Sequence, residues 1–251
     1  GEPGAYHLVA QSEAPNAMTG AAAWIAAEDP IAYAREAALR AHQRSQIVED
    51  EAIEGWFMYL AEKLERALAD PRDPSAELAL QAYRVMRWSA ALDADPQAFL
   101  QQRGSIEWAY RSRVDGSGQP FTLRIPQDYT PEREWPLIVQ LHGAGGTHGE
   151  RWGDLHRKPT FELQVNGRGR TGGYLGLSEV DVLEALDYVR RHWRIAPGQI
   201  HLTGGSMGGY GTFGLGSRYP DRWASAVPWA GSAEHLPTEN MIHLPVYALH
   251  S

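Results

Sequence analysis

The sequence predicts an α/β fold, in which a mostly parallel β-sheet carries helices on both faces and follows an N-terminal helical region. Three observations support this fold class. Near residue 104 the spacing of apolar residues changes from that of a helix to every second residue, as in a strand. Apolar strands then alternate with helical segments, and a glycine-rich serine motif follows one of those strands. We therefore expect an extended arm over residues 1–28, a helical region over residues 29–104 and an α/β core over residues 105–251.

Composition narrows the classes of function that fit. The 251 residues carry a formal net charge of −8 without any basic stretch, which argues against a nucleic-acid partner. No apolar run reaches membrane-spanning length, and the absence of cysteine excludes disulfides, thiolate catalysis and cysteine zinc sites. Because the chain begins with Gly1 and not with methionine, we expect that an upstream segment has been removed.

Helix signals dominate residues 29–104. Three Asp-Pro pairs each place an N-cap acceptor before a proline at the first helical position: Asp29-Pro30, Asp73-Pro74 and Asp95-Pro96. Between the first two pairs, one apolar stripe recurs at helical spacing: Ile53, Trp56, Phe57, Leu60, Leu64 and Leu68. This stripe indicates core packing more strongly than a ligand site.

Alternation typical of strands begins after Gly104. It predicts a β-hairpin around a turn at residues 115–118. Five apolar strands are then predicted at residues 136–141, 161–165, 200–203, 224–228 and 245–249. A helix is predicted over residues 179–193, and Ser178 and Asp181 at its start are spaced almost as in a capping box.

The run Gly204-Gly205-Ser206-Met207-Gly208 fits G-x-S-x-G, with an apolar strand before it and a predicted helix after it. This context is typical of a nucleophile elbow, a sharp strand-to-helix turn that projects a serine hydroxyl from the carboxyl edge of a sheet. Small residues two before and two after the serine let strand and helix approach each other. A glycine-rich turn with an incidental serine is the alternative, but the flanking elements favour Ser206 as a nucleophile.

A second glycine-rich segment, Leu141-His142-Gly143-Ala144-Gly145-Gly146, directly follows a buried strand. In acyl transfer, backbone N–H groups aimed at the developing oxyanion supply much of the rate. One donor follows the nucleophile and the other follows an earlier strand. We therefore predict an oxyanion hole made by Met207 and Ala144, with Gly143 and Gly145 as alternatives to Ala144. An ordinary tight turn is the competing interpretation, and His142 is predicted to brace the loop because it precedes the serine.

The run Gly167-Arg168-Gly169-Arg170-Thr171-Gly172 fits G-x-G-x-x-G, the pattern of dinucleotide-binding loops. It lacks the helix that must open at once and the acidic residue about twenty positions on, so nucleotide binding is not predicted. The loop should rim the site, where Arg168 and Arg170 could contact an acidic or hydroxylated substrate; solvated arginines are the alternative. Four aromatic residues could line a substrate pocket or belong to the core: Trp152, Tyr174, Tyr210 and Trp229.

No metal or cofactor is predicted. His142, His148 and His156 are not at helical ligand spacing, and nothing resembles H-E-x-x-H. Scattered histidines in a loop that faces the site explain them more simply.

Residues 108–249, somewhat more than half of the chain, resemble the α/β-hydrolase superfamily, within it the prolyl-oligopeptidase-like esterases of the polyhydroxybutyrate-depolymerase and feruloyl-esterase type. The resemblance is carried by residues 141–146, 166–169 and 176–182 and by the elbow at residues 204–209. It implies a secreted or periplasmic hydrolase of esters, often of plant-polysaccharide or polyester linkages. Peptidases form the other branch of the group.

Such enzymes order their triad as serine, acid and histidine, with the acid after the next-but-one strand. Residues 245–249 resemble the strand that leads to that acid, and His250 the histidine that commonly ends it. We therefore expect the acid and the base beyond Ser251, in a further C-terminal segment or a second chain. The core over residues 105–251 is then an incomplete sheet, and this stretch alone should be at most a feeble hydrolase.

The function predicted from the sequence is a serine hydrolase that cleaves carboxylic esters through an acyl-enzyme on Ser206. Its expected substrates are small-molecule esters, polysaccharide-linked acyl or feruloyl esters, or polyesters. The alternatives are a serine peptidase and a non-catalytic binding module of the same fold, with the helical region as its partner surface. The intact elbow and oxyanion segment favour an enzyme.

Overall fold

The computed structural model describes residues 6–9, 22–25, 29–47, 50–69, 75–149 and 159–249. The chain divides into two compact units, one of residues 1–102 with 109–118 and the other of residues 103–108 with 119–251. Most of the predicted arm lies outside the described residues. Its described parts are two short strands, β1 (Tyr6–Val9) and β2 (Ala22–Ile25), which pair in antiparallel fashion.

Three helices form the first unit: α1 (Pro30–Ile47), α2 (Glu51–Ala69) and α3 (Ser75–Ala94). Asp29 caps α1 as predicted, since its Oδ1 accepts hydrogen bonds from the N–H groups of Ile31 and Ala32, each at 3.0 Å. Asp73 lies outside the described residues. Asp95 accepts a bond from the Gln97 N–H at 2.9 Å, and only a 3₁₀ turn, Ala98–Gln101, follows it.

The predicted apolar stripe of α2 is the core of this unit. Its members from Ile53 to Leu64 are buried and Leu68 is half-buried, which confirms the core interpretation. Trp56 is fully buried and meets Trp88 of α3 edge to face, with ring centroids 6.3 Å apart.

A mixed six-stranded sheet forms the core of the second unit. Its strands are β3 (Gly104–Arg111), β4 (Gly118–Ile125), β5 (Trp135–Leu141), β6 (Phe161–Val165), β7 (Ile195–Gly205) and β8 (Ser225–Trp229). Their order is β3-β4-β6-β5-β7-β8; β4 is antiparallel to β6, and β6, β5, β7 and β8 are parallel. Two helices connect the parallel strands, α4 (Leu177–His192) and α5 (Met207–Arg218). The predicted α/β class is therefore confirmed.

Residues 245–249, predicted as a strand, continue the sheet only through isolated bridges. Val246 bridges Ala226 and Leu249 bridges Trp229, both in the parallel sense. The N–H groups of Tyr247 and Leu249 donate to carbonyls of β8 at 3.0 and 2.9 Å. The segment thus follows the edge of β8 without forming a continuous ladder.

The predicted capping box of α4 is wrong. The helix begins at Leu177 with Gly176 at its N-cap, and no side chain caps it. Ser178 is buried inside the first turn, where its hydroxyl donates to the Gly167 carbonyl at 2.6 Å, and the Asp181 carboxylate accepts a bond from the Arg168 N–H at 3.3 Å. Both side chains hold the preceding loop because the helix starts two residues earlier than predicted.

Candidate active site

Ser206 occupies the sharp turn between β7 and α5. Its backbone has φ 53° and ψ −119°, a conformation that costs a non-glycine residue about 1–3 kcal/mol. The Ser206 N–H donates to the Trp229 carbonyl at 3.0 Å, and the side chain is exposed. The turn therefore presents the hydroxyl at the carboxyl edge of the parallel strands, as a nucleophile elbow requires.

The elbow needs glycine two residues before and two after the serine, because backbone segments meet there. A Cβ on Gly204 would lie 2.5 Å from the Gly208 carbonyl oxygen, and a Cβ on Gly208 would lie 2.1 Å from the Leu141 carbonyl oxygen. Any side chain at either position would collide with main chain. The spacing read from the sequence thus follows from the approach of α5 to β7 and β5.

Met207 is the first residue of α5, so its N–H belongs to the helix terminus. The first N–H groups of a helix have no intrahelical acceptor, and the positive end of the helix dipole lies there. Tyr210 N–H makes the first bond of the helix, to the Ser206 carbonyl at 3.1 Å. Within the described residues the Met207 N–H meets no acceptor, which leaves it available beside the serine.

The loop of residues 142–146 lies next to Ser206. A Cβ on Gly143 would lie 3.9 Å from the Ser206 Cβ. The Gly145 N–H is already committed, since it donates to the Arg170 carbonyl at 2.9 Å. The N–H groups of Gly143 and Ala144 meet no acceptor in the described part of the chain, so the geometry favours these two over Gly145 as oxyanion donors.

His142 braces this loop, as the sequence predicted. The side chain is buried, with Nδ1 2.8 Å from the Gly143 carbonyl oxygen and Nε2 2.9 Å from the Asn166 carbonyl oxygen. A neutral imidazole has one N–H to donate, and either carbonyl can accept it. With both ring nitrogens against backbone oxygens, His142 does not serve Ser206 as a base.

The G-x-G-x-x-G segment forms an irregular loop, residues 166–176, and no helix opens until Leu177. Contact of Arg168 with substrate stays a prediction; its side chain is 13% exposed and lies 4.0 Å from the Glu184 carboxylate of α4. Arg170 donates from Nη1 to the Gly145 carbonyl at 2.6 Å. Both arginines therefore contact the protein itself.

The predicted pocket-lining aromatic residues occupy different environments. Tyr174 is fully buried, which favours the core alternative over contact with substrate, and its hydroxyl donates to the His142 carbonyl at 3.1 Å. Tyr210 is 53% exposed on α5, and Trp229 is half-buried at the end of β8 beside the Ser206 backbone. Trp152 lies outside the described residues. Tyr210 and Trp229 remain candidates for substrate contact.

A base and an acid for Ser206 are not assembled among the described residues, where its hydroxyl makes no hydrogen bond. His201 lies on β7 with Nδ1 2.8 Å from the Ser225 hydroxyl, and burial lowers its pKa below 6.5. His235 is exposed and pairs with Glu234 at 3.5 Å. His156 and His250 lie outside the described residues.

Two other kinds of feature are missing from the described ranges. No group of three or more histidine and carboxylate side chains is arranged there to hold a metal ion. None of the helices in those ranges is both long and apolar enough to cross a membrane.

Sequence reasoning missed the side chains that support the site. The sequence predicts Tyr174 as a pocket or core residue, and Ser178 and Asp181 as parts of a helix cap. Their true contacts, with His142, Gly167 and Arg168, depend on where α4 begins. Nothing in the sequence marks the residue at which α4 begins. A buried tyrosine also cannot be distinguished by sequence from a tyrosine that lines a pocket.

No family model matches the chain. Among solved structures it is similar to a structure of FAE, with a TM-score of 0.50 and 13% identity over 58% of this chain and 66% of that one. It is also similar to a thermostable esterase (TM-score 0.47, 22% identity, 57% of this chain and 45% of that one). A third similar structure is FphF, a fluorophosphonate-binding serine hydrolase of Staphylococcus aureus (TM-score 0.46, 24% identity, 57% and 62%).

The match spans less than half of the thermostable esterase and about three fifths of FphF. These structural neighbours are named as esterases and serine hydrolases. At such identities the likeness concerns the fold. The structural similarity, together with the sheet order and the strained serine between β7 and α5, shows that the chain has the α/β-hydrolase fold.

Proposed function

We propose that the protein is a serine hydrolase that cleaves carboxylic esters through an acyl-enzyme on Ser206. One observation carries the proposal. Ser206 holds an exposed hydroxyl on a strained backbone at φ 53°, beside the N–H groups of Met207, Gly143 and Ala144, which have no acceptor in the described residues. A merely structural turn gains nothing from this strain, whereas a nucleophile gains access to substrate.

The mechanism follows from this arrangement. A histidine base takes the proton of the Ser206 hydroxyl as Oγ attacks the ester carbonyl carbon. The N–H groups of Met207 and Ala144 hold the negative charge that develops on the carbonyl oxygen. The C–O bond to the alcohol then breaks, and the alcohol leaves with the proton from the histidine. Water attacks the acyl-enzyme by the same steps and releases the acid.

The base and the acid are proposed to lie beyond Ser251, in a further C-terminal segment or a second chain. Support comes from the order of the motifs, since residues 245–249 follow β8 and run along its edge where an additional strand belongs. Without the base, a serine hydroxyl is a poor nucleophile at neutral pH. Residues 1–251 alone are therefore expected to hydrolyse esters feebly.

The substrate class is proposed from the sequence motifs. The 141–146 and 166–169 segments resemble those of enzymes that cleave polysaccharide-linked acyl or feruloyl esters and polyesters, which also suggests a secreted or periplasmic location. Exposed Tyr210 and half-buried Trp229 beside the elbow would supply aromatic surface for such an acyl or alcohol group. Matched ester and amide substrates would separate an esterase from a peptidase.

Replacement of Ser206 tests the proposal in the full-length protein. The Ser206→Ala variant should lose p-nitrophenyl acetate turnover and labelling by a fluorophosphonate probe, because both need the nucleophilic oxygen. Ser232→Ala is the matched control: Ser232 lies just after β8, where its hydroxyl accepts a bond from the Glu234 N–H at 3.1 Å. Equal labelling of wild type and Ser206→Ala would overturn the assignment of Ser206, because the probe would then have reacted with another residue. No labelling and no turnover in the wild type would favour a binding module.

A further inference from the structure

We propose that Tyr174 is a positioning residue that sets the distance between the two oxyanion donors, Ala144 and Met207. The inference rests on the proposed function. The Tyr174 side chain contacts both segments that carry these donors, the 142–146 loop and α5. Because the Tyr174 side chain is fully buried, the proposed role acts through the backbone of the two segments.

The first contact holds the 142–146 loop. The Tyr174 hydroxyl donates to the His142 carbonyl at 3.1 Å, two residues before Ala144. The ring also meets the His142 imidazole edge to face, with centroids 5.7 Å apart. Because His142 in turn bonds Gly143 or Asn166 through its ring, the tyrosine fixes the point where the loop leaves β5.

The second contact is with α5. A Cβ on Gly211 would lie 2.5 Å from Tyr174 Cδ2 and 2.8 Å from Cγ, so the ring occupies the space where any other residue would place its side chain. Gly211 is one helical turn beyond Met207 on the same rigid helix. The ring of Tyr174 therefore lies directly against the helix whose first N–H is an oxyanion donor.

The backbone of Tyr174 is held in place by its surroundings. It has φ 55°, an unfavourable value for an aromatic residue, and its carbonyl accepts a bond from Arg218 Nη2 at 3.4 Å. A Cβ on Gly167 would lie 2.8 Å from Tyr174 Cε1, so the opposite edge of the ring is enclosed as well. Strain of this kind persists only where neighbours over-determine it, and it clusters at functional sites.

The spacing matters because an oxyanion hole works by preorganisation. Its donors must lie about 2.7–3.1 Å from the oxygen as charge develops, and they act strongly only if they are already fixed there. The Tyr174 ring packs against α5 while its hydroxyl holds the His142 carbonyl, two residues before Ala144. Loss of the Tyr174 hydroxyl would release the 142–146 loop, while the ring would remain packed against α5.

Tyr174→Phe tests the inference in the full-length protein. The kcat for p-nitrophenyl acetate should fall about tenfold, a fraction of the loss caused by deletion of a donor, while KM stays unchanged because ground-state binding is untouched. Amide hydrogen exchange of residues 142–146 should become faster. Tyr188→Phe is the matched control: the buried Tyr188 hydroxyl accepts a bond from Trp108 Nε1 at 2.7 Å, so this variant should lose similar stability without loss of kcat.

A second variant moves the ring without removing the hydroxyl. Gly211→Ala should push the ring away from α5 and lower kcat with KM unchanged, as in Tyr174→Phe. Unchanged kcat and exchange in either folded variant, or an equal fall of kcat in Tyr188→Phe, would overturn the inference. If wild type and Ser206→Ala hydrolyse the ester equally, the proposed function fails instead. In that case amide exchange decides the inference: faster exchange of residues 142–146 in Tyr174→Phe, but not in Tyr188→Phe, supports the positioning contact. Unchanged exchange in Tyr174→Phe rejects it.

Discussion

Backbone conformation distinguishes Ser206 from the other serines near the sheet edge. Its φ of 53° lies in a region that glycine adopts freely, yet glycine would supply no hydroxyl. The cost of about 1–3 kcal/mol is met by the surrounding contacts, such as the bond from the Ser206 N–H to the Trp229 carbonyl. At this scale the sequence predicted the strand-to-helix turn at Ser206, because G-x-S-x-G stands between a strand and a helix there; the role of Ser206 as a nucleophile stays a prediction.

Burial of His201 in the second unit makes stability depend on pH. Burial lowers the pKa of His201 below 6.5, so the unfolded chain takes up this proton at a higher pH than the folded chain does. The associated stability is present above the unfolded pKa and is lost as pH falls through the folded pKa. His235 has an exposed side chain on a turn and serves as the comparison.

His201→Gln is therefore expected to weaken the acid dependence of folding. Its free energy of unfolding, measured by urea denaturation from about pH 7.5 to about pH 5, should fall less than that of wild type. His235→Gln, at an exposed position, controls for the effect of a histidine-to-glutamine substitution itself. A steeper loss in His201→Gln than in wild type would show that the buried imidazole does not titrate as its surroundings imply.

Among the elements, the junction of β7 and α5 constrains the site most tightly. The Gly208 backbone leaves no room for a Cβ, which would lie 2.1 Å from the Leu141 carbonyl oxygen of β5. A Cβ on Gly198, near the start of β7, would meet no heavy atom of the described residues within 4 Å. The two glycines thus give a matched pair of positions: Gly208 has no space for a Cβ atom, and Gly198 has space for one.

Gly208→Ala should destabilise the fold by about 3 kcal/mol, because the added methyl group forces backbone against backbone. Gly198→Ala should stay within about 0.5 kcal/mol of wild type. Chemical denaturation measures both changes, and a thermal shift assay provides a second measurement. Equal stability of the two variants would mean that α5 can move away from β5 at little cost, which the elbow geometry forbids.

The start of α4 shows where prediction at this scale fails. Ser178 and Asp181 have nearly the spacing of a capping box, and the sequence alone gives no reason to doubt it. In the structure Gly176 takes the N-cap position with φ 56°, and the two side chains turn back to hold the 166–176 loop. Helix boundaries depend on such tertiary contacts, whereas helix existence follows from the apolar period.

At the scale of the molecule, the sequence predicted the change of architecture near residue 104 and the parallel strands that carry the site. It did not predict that residues 109–118 would group with the helical residues. The cause is close backbone contact: a Cβ on Gly55 of α2 would lie 2.2 Å from the Tyr110 carbonyl carbon, and one on Gly118 would lie 2.8 Å from the Gly55 carbonyl oxygen. Isolated glycines in a helix and a strand carry no visible sign that they face each other.

Only part of the candidate site could be predicted from the sequence. Ser206, Met207 and the 142–146 loop follow from local motifs, because each occupies a fixed place after a strand. The choice between Gly143, Ala144 and Gly145 needed hydrogen-bond partners, since only the bond from Gly145 to the Arg170 carbonyl removes one of the three. Tyr174 needed its burial to be known before its contacts with His142 and Gly211 could be recognised.

In the proposed reaction, Ser206 attacks a substrate carbonyl while the N–H groups of Met207 and Ala144 hold the oxyanion. A crystal structure of the full-length protein after reaction with a fluorophosphonate tests it most directly. We expect phosphorus bonded to Ser206 Oγ and the phosphonyl oxygen within about 2.7–3.1 Å of both backbone nitrogens. An adduct on another residue, or a phosphonyl oxygen directed away from these two N–H groups, would contradict it.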